Sequence, residues 1–179
     1  MPTPSVPWAI AACLLCAAAA PPLAAKSAPL TVSDDGLGPM GAATPFDEAA
    51  LTALLPGFEV EASAAGDGRF IALRDGAPAL EIFEGEHHRV GQILVTAPGI
   101  PTATGATVAR SAGEVYTGGR MPNCVAGKGM WSGRAFCLSP RQKYVVLIFS
   151  GDWDGPPETV PPGEVLKTWT VEAILWRHP

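Results

Sequence analysis

Residues 58–96 read FEVEASAAGDGRFIALRDGAPALEIFEGEHHRVGQILVT, a stretch in which apolar and polar side chains alternate in four short runs. A period of two is the pattern of strands that bury one face of a sheet. The separators at 66–68, 75–76 and 84–88 contain glycine and polar residues, which favour tight reversals between neighbouring strands. The stretch therefore predicts an antiparallel meander with strands at about 58–63, 69–74, 79–83 and 89–96.

Short helical segments flank this meander on both sides. Thr44 and Pro45 stand where an N-cap and a first helical residue belong, and apolar side chains then recur at helical spacing. These residues predict one amphipathic helix over about 45–55. On the other side of the meander, Ser111 and Glu114 have the spacing of a capping box, which predicts a single helical turn.

The second half of the chain returns to strand patterns. Residues 135–138 form a short run, residues 143–149 a continuous apolar run, and residues 168–176 alternate again. The last run is expected to place on one face Trp169, Val171, Ala173 and Leu175. About seven strands predict a mainly β fold: an antiparallel, sandwich-like single domain with one short N-terminal helix and one or two further helical turns.

The composition excludes several classes of protein. Glycine and proline contribute 20 and 19 of the 179 residues, which is too many for a coiled coil, a helical bundle or a polytopic membrane protein. The formal net charge of −5 gives no basic surface for nucleic acid. The length suits one compact domain with one core.

The N-terminal sequence is typical of an exported protein. Residues 1–25 carry no charged side chain, and their apolar run is too short to span a bilayer. Cleavage after Ala25 would remove them as a secretory signal. Alternatively, Ile10-Ala11-Ala12-Cys13 has the order of a bacterial lipobox, and acylation of Cys13 would tether the protein to a membrane. The sequence leaves this choice open.

The domain organisation follows from these signals. The sequence predicts a cleaved export signal at 1–25, a tether and turn-rich segment at 26–43, and a single β-rich domain at 44–179. The predicted location is the periplasm, with the outer membrane as the anchoring site if Cys13 is lipidated.

Cleavage after Ala25 would leave two cysteines, Cys124 and Cys137. In an oxidising compartment two such thiols most simply form a disulfide. Their spacing matches neither a Cys-x-x-Cys redox centre nor a zinc knuckle. We therefore expect a structural disulfide.

A set of short motifs extends over residues 32–177 in an order that resembles one bacterial family. The motifs are Val32-Ser33-Asp34, Gly36, Gly38, Thr44-Pro45, Pro101-x-x-x-Gly105, the two cysteines, Ser150-Gly151-Asp152-Trp153-Asp154-Gly155-Pro156, Leu166-Lys167, Trp169 and Ile174-Leu175-Trp176-Arg177. They are similar to those of the sigma-E (envelope-stress) regulated envelope lipoproteins, a family of undefined biochemical activity. The resemblance implies an exported, β-rich domain held near the outer membrane. It transfers no catalytic residue.

The side chains that could carry chemistry favour a structural interpretation. Glu84, Glu86, His87 and His88 are the densest group of metal-ligating side chains, but adjacent histidines at a strand end point to opposite faces. Asp152 and Asp154 lack the further ligands of a calcium loop. We predict no metal, no cofactor and no catalytic residue. The structural motif residues are expected to be Gly151, Asp152, Trp153, Gly155, Pro156, Trp169 and Trp176.

These observations favour a non-catalytic exported protein that binds or stabilises another envelope component, either a protein or a polymer. Contact with the membrane is expected only through a lipid at Cys13. One alternative is a small hydrolase of envelope polymers, for which Asp152, Asp154 and the turn at 84–88 are the only candidates. A second alternative is an enzyme-inhibitor module that exposes the loop 128–134 to a partner's cleft.

Overall fold

The structure is a computed structural model that describes residues 29–118 and 121–178. The strands and helices, in chain order, are β1 (Val32–Ser33), β2 (Gly36–Leu37), α1 (Glu48–Leu54), β3 (Glu59–Ala62), β4 (Arg69–Arg74), β5 (Ala77–Glu84), β6 (Val90–Val95), α2 (Ala112–Val115), β7 (Cys124–Ala126), β8 (Ala135–Leu138), β9 (Val145–Ser150), α3 (Gly163–Leu166) and β10 (Thr170–Arg177). Single 3₁₀ turns lie at Glu86–His88 and Gly129–Trp131. The predicted signal and Cys13 lie outside the described residues. Within the described ranges, no helix is long and apolar enough to cross a membrane.

Eight strands form one antiparallel sheet in the order β3-β4-β5-β6-β10-β9-β8-β7, and β1 and β2 form a separate two-stranded ribbon. The predicted meander is present as β3 to β6, in which each strand pairs with the next. A second meander, β7 to β9, lies at the other side of the sheet. The C-terminal strand β10 joins the two meanders by pairing with both β6 and β9.

The main hydrophobic core lies on one face of this sheet. Side chains from all eight strands contribute to it, and the β1–β2 ribbon, α1 and the long connections cover it with Leu37, Met40, Leu51 and Ile100, all at most 1% exposed. The domain is therefore mainly β, antiparallel and single, as predicted. All the longer strands belong to one sheet, which forms one layer of the sandwich-like fold. The second layer consists of the β1–β2 ribbon, α1 and the long connections.

The predicted face of β10 is correct only at its start. Trp169 and Val171 belong to the main core, but the register shifts between Val171 and Ala173. Such a bulge places two residues of one strand against one of the next, so every later side chain changes face. Ile174 and Trp176 therefore enter the core, whereas Ala173 and Leu175 face the other side of the sheet.

The start of α1 was predicted three residues too early. Asp47, not Thr44, is the N-cap, and its Oδ1 accepts a hydrogen bond from the backbone amide of Ala50 at 2.9 Å. Pro45 instead forms an antiparallel bridge with Arg89: the amide of Val90 donates to the carbonyl of Thr44, and the amide of Phe46 donates to that of His88. Pairing with the segment before β6 thus outweighs the local helix signal. The capping box at Ser111 and Glu114 forms as predicted.

Asp34 joins the N-terminal ribbon to the sheet. Its Oδ1 accepts hydrogen bonds from the backbone amides of Lys143 and Tyr144 at 2.8 and 2.9 Å. Its carbonyl accepts one from the indole nitrogen of Trp176, which is fully buried. The conformation of Val32-Ser33-Asp34 is therefore coupled to the start of β9 and to the end of β10.

Candidate functional site

The structure contains the predicted disulfide between Cys124 and Cys137. The two residues are directly opposite each other in the β7–β8 pair, and their Cα atoms are 4.4 Å apart. The bond therefore clamps the base of the hairpin formed by β7, the 3₁₀ turn Gly129–Trp131 and β8. Glycine-rich sequence alone would leave this hairpin loose, and the covalent link restrains it.

The same hairpin exposes apolar side chains. Among the described residues, the exposed large hydrophobic side chains are Val125 at 66%, Met130 at 85% and Leu138 at 50%. Val125 lies on β7, Met130 lies in the turn at the tip, and Leu138 ends β8 one residue beyond the disulfide. Trp131 packs edge-to-face on Phe136 beside them, with ring centroids 5.8 Å apart. We call Val125, Met130, Trp131, Phe136 and Leu138 the hairpin surface.

The hairpin surface continues onto the face of the sheet opposite the main core. Val125 pairs with Phe136, Leu138 pairs with Val146, and Val146 pairs in turn with Leu175. These five side chains line a shallow groove of about 370 Å³, with Arg177 and Asn123 at its border. An apolar face of this kind, fixed by a disulfide and by the sheet, is suited to binding a partner.

Charge is distributed unevenly along the chain around this surface. Between Glu114 and Asp152 the sequence contains no acidic residue and five basic ones: Arg120, Lys128, Arg134, Arg141 and Lys143. Arg134 donates a 2.7 Å hydrogen bond to Glu172 on β10, which raises the pKa of its guanidinium. The hairpin itself, residues 124–138, contains Lys128 and Arg134 and no acidic residue, within a chain whose net charge is −5.

The turn at 84–88 contains two of the three histidines, His87 and His88. His87 and His88 lie in a 3₁₀ turn with φ of 57° and 53°, and Nδ1 of His88 contacts a carboxylate oxygen of Glu84. His178 borders the same cavity of about 420 Å³. Within the described residues, no three His, Cys, Asp or Glu side chains are placed to hold a metal ion. The side chains of His87 and His88 are 85% and 93% exposed, as expected of a solvated turn.

Asp152 and Asp154 lie at the opposite end of the sheet from this turn. They follow β9 and neighbour the first residue of β10, whereas the turn at 84–88 neighbours its last. The eight residues of β10 separate the two groups by roughly 23 Å. The acids and histidines named for a hydrolase therefore do not converge in one pocket.

The motif around Asp152 is explained by packing of two tryptophans. The indole nitrogen of Trp169 donates to the carbonyl of Asp152 at 3.2 Å. A Cβ added to Gly151 would lie 2.3 Å from Trp169, and one added to Gly155 would lie 2.1 Å from Trp153. Both glycines are therefore needed for close contact with a ring. Trp153 is half-buried and packs on the core.

A largely buried network of polar side chains lies near β1. Thr104 contacts Thr102 and Ser139 through hydroxyl oxygens at 3.0 and 3.3 Å, and Ser139 donates to Gln142 at 2.7 Å. Gln142 then donates to the carbonyl of Val32 at 3.3 Å. The network contains no carboxylate or imidazole that could activate the serine hydroxyl. It attaches the loop after β6 to the β8–β9 turn.

Sequence reasoning singled out the loop 128–134, which contains Met130 and Trp131, but missed the part of the hairpin surface that lies on the strands. Strand β7 has only three residues, Cys124–Ala126, which is too short for a period to be read. The exposure of Val125 and Leu138 depends on β7 being the last strand of the sheet, which is a property of the topology. The one usable signal was the long run without acidic residues.

Comparisons with known proteins agree with the fold and give no activity. The chain is similar to the Uncharacterized protein YfeY of Escherichia coli (strain K12), with 26% identity over 152 residues that cover 82% of this chain and 79% of the relative. It also matches the crystal structure of the uncharacterized protein yfeY from Escherichia coli, with a TM-score of 0.67 and 26% identity over 83% of this chain and 99% of that one. Residues 16–178 match a family described as Protein of unknown function (DUF1131), and the chain therefore belongs to that family.

Proposed function

We propose that this protein is an exported, non-catalytic envelope protein that binds another envelope protein through the hairpin surface. The observation that carries this proposal is the concentration of Val125, Met130 and Leu138, the exposed large hydrophobic side chains of the described chain, in one disulfide-clamped hairpin. Exposing apolar area to water has a cost of about 25 cal/mol per Å², which association with a partner removes.

The two edges of the sheet differ in a way that supports this choice of surface. The edge strand β3 exposes Glu59 and Glu61, and charged side chains on an edge discourage strand pairing with other chains. The opposite edge strand, β7, reads Cys-Val-Ala and exposes Val125. An edge without charge accepts a partner's strand or apolar side chains more readily.

Site-specific photo-crosslinking in the native host tests this proposal. A photoreactive residue in place of Val125 or Leu138 should capture one discrete envelope partner. The matched control is the same residue in place of Glu61, an exposed position on the opposite edge, which should capture none. Equal crosslinking from both edges, or none from the hairpin, would refute the assignment of the surface.

The hairpin tip also favours a second candidate, an enzyme inhibitor that inserts residues 128–134 into a cleft. Met130 is 85% exposed and lies at the 3₁₀ turn, as a residue inserted into a pocket would. In that case crosslinks should form from Met130 and not from Val125 or Leu138, and the captured partner should be an enzyme that the purified protein inhibits.

Export is the second part of the proposal, and it rests on the sequence of residues 1–25 and on the resemblance to sigma-E regulated lipoproteins. Exported proteins keep structural disulfides, so the bridge at Cys124 is consistent with it. The intact mass from the native host should show loss of 25 residues or a chain that begins at acylated Cys13. A cytoplasmic protein that retains Met1 would contradict export.

The absence of catalysis has its own test. Asp152→Asn and His87→Ala should leave the function of the protein in its host unchanged, because the two residues lie at opposite ends of the sheet. Saturable hydrolysis of peptidoglycan or peptide that is lost in either variant would overturn this part of the proposal.

A further inference from the structure

A groove on the other side of the molecule has one charged side chain among the described residues that line it. The cavity, of about 630 Å³, lies between the start of the described chain, α1 and the end of β4. Its walls include three prolines and three larger apolar residues: Pro29, Pro39, Pro56, Leu30, Leu54 and Phe58. The remaining lining residues are glycine and alanine, apart from Arg74. Arg74 is thus the one polar side chain in the described part of the lining.

Arg74 differs from the other arginines that stack on aromatic rings. Three described arginines do so: Arg69 over Phe83, Arg134 over Trp131 and Arg74 over Phe58. Arg69 also pairs with Glu81 at 2.6 Å and Asp67 at 3.0 Å, and Arg134 pairs with Glu172 at 2.7 Å. The guanidinium of Arg74 lies 4.2 Å from the ring centroid, the closest of the three, yet it has no carboxylate or hydrogen-bond acceptor among the described residues.

The groove therefore combines one unneutralised cation with an apolar wall. A half-buried guanidinium presents a planar fork of donors that fits a carboxylate. The three prolines have no backbone N–H, so the wall offers few donors to a sugar, a nucleotide or a peptide backbone. A ligand with one anionic group and an otherwise apolar body matches this lining, and the volume lies within the roughly 300–1,000 Å³ of small-molecule sites.

We propose that this groove binds a long-chain fatty acid. The carboxylate forms an ion pair with Arg74, and the acyl chain lies along Leu30, Leu54 and the prolines. The cation–π contact with the ring of Phe58 holds the guanidinium in place. The site is independent of the proposed protein partner, because β4 and β7 lie toward opposite edges of the sheet.

Oleate binding to the full-length protein tests the proposal, with calorimetry or a displaced fluorescent fatty acid as the readout. The wild type should bind oleate saturably with one site per chain. Arg74→Gln should weaken binding by about tenfold or more, since it removes a hydrogen-bonded charge pair. The matched control is Arg69→Gln, because Arg69 is on the same strand and also stacks on a phenylalanine but is neutralised within the chain.

Oleyl alcohol provides a second comparison that needs no variant. It has the same chain without the carboxylate, so it should bind the wild type more weakly than oleate does, and Arg74→Gln should not weaken it further. Ala53→Trp, which adds a ring to the part of the lining that α1 contributes, should abolish binding of both ligands. Three outcomes would overturn the proposal. They are equal oleate affinity of the wild type and Arg74→Gln, a lack of saturable oleate binding, and self-association of the protein that depends on Arg74 instead of oleate binding.

Discussion

Loss of the disulfide is expected to destabilise the domain by about 3 kcal/mol. Cys124 and Cys137 close a loop with a sequence separation of 13, and the entropy that such a loop removes from the unfolded chain corresponds to about 3 kcal/mol at 25 °C. The native backbone needs no rearrangement to hold the bridge, because the two residues are directly opposed in the β7–β8 ladder. The full entropic effect should therefore be measurable. For a domain of this length it corresponds to a fall in Tm of roughly 6–12 °C.

Urea unfolding of the oxidised protein, the reduced protein and Cys124→Ala/Cys137→Ala measures this effect. Reduction keeps both sulfur atoms and so isolates the cross-link. The double variant also loses side-chain volume at the buried Cys137, so its stability should fall at least as far. The extrapolated free energy of unfolding has an uncertainty of about 10–15%. If reduction changes this free energy by no more than that, the bridge does not stabilise the fold and the reasoning from loop entropy is wrong.

Three further changes have defined outcomes. Asp34→Ala removes two hydrogen bonds to backbone amides and should cost about 2–4 kcal/mol in urea unfolding; a cost near zero would contradict its role as a link. Hydrogen bonds from the backbone and hydroxyl of Ser111 lower the pKa of Glu114, so the ionised carboxylate stabilises the folded state. This contribution to folding stability is complete above the ordinary pKa of a glutamate and is lost as the pH falls through the lowered pKa. NMR titration should show this low pKa, and Ser111→Ala should raise it only in part, because the backbone bond remains. Gly151→Ala places a methyl group 2.3 Å from the ring of Trp169 and should cost about 1–3 kcal/mol with a change in tryptophan fluorescence, whereas an unchanged thermal melt would mean that the ring moves freely.

The elements that the sequence predicted well depend on neighbours in the chain. Strands β3 to β6 pair consecutively, so alternation and turn chemistry contain nearly all the information needed. The capping box of α2 is a contact between Ser111 and Glu114, three residues apart. The disulfide followed from a count of cysteines, since only one pairing remained.

The errors have a common cause, which is contact between distant segments. The helix signal at Thr44 was overridden because that residue pairs with Val90. The face of β10 was misassigned after Val171 because a bulge changes the side-chain parity, and a bulge is defined by the partner strand. Strand β7 was missed because three residues carry no period.

The candidate sites show the same division. The cysteines, the tryptophan-glycine motif and the solvated turn at 84–88 could be interpreted from residue types. The hairpin surface could not, because the exposure of Val125 depends on which strand ends the sheet. The groove at Arg74 also could not, because it exists only where the segment 29–39 lies against α1 and β4.

The sequence by itself determined the mainly β class, the local turns and caps, and the disulfide, because periodicity, turn chemistry and cysteine number act over a few residues or require no geometry. Only the tertiary structure decided that β10 lies between β6 and β9 and that Asp34 accepts hydrogen bonds from the amides just before β9. It also decided that Arg69 pairs with a carboxylate, whereas Arg74 has none among the residues that the structure describes. Those outcomes depend on contacts between residues far apart in the chain. Such contacts are selected by burial and hydrogen bonding of the whole domain, which no local pattern records.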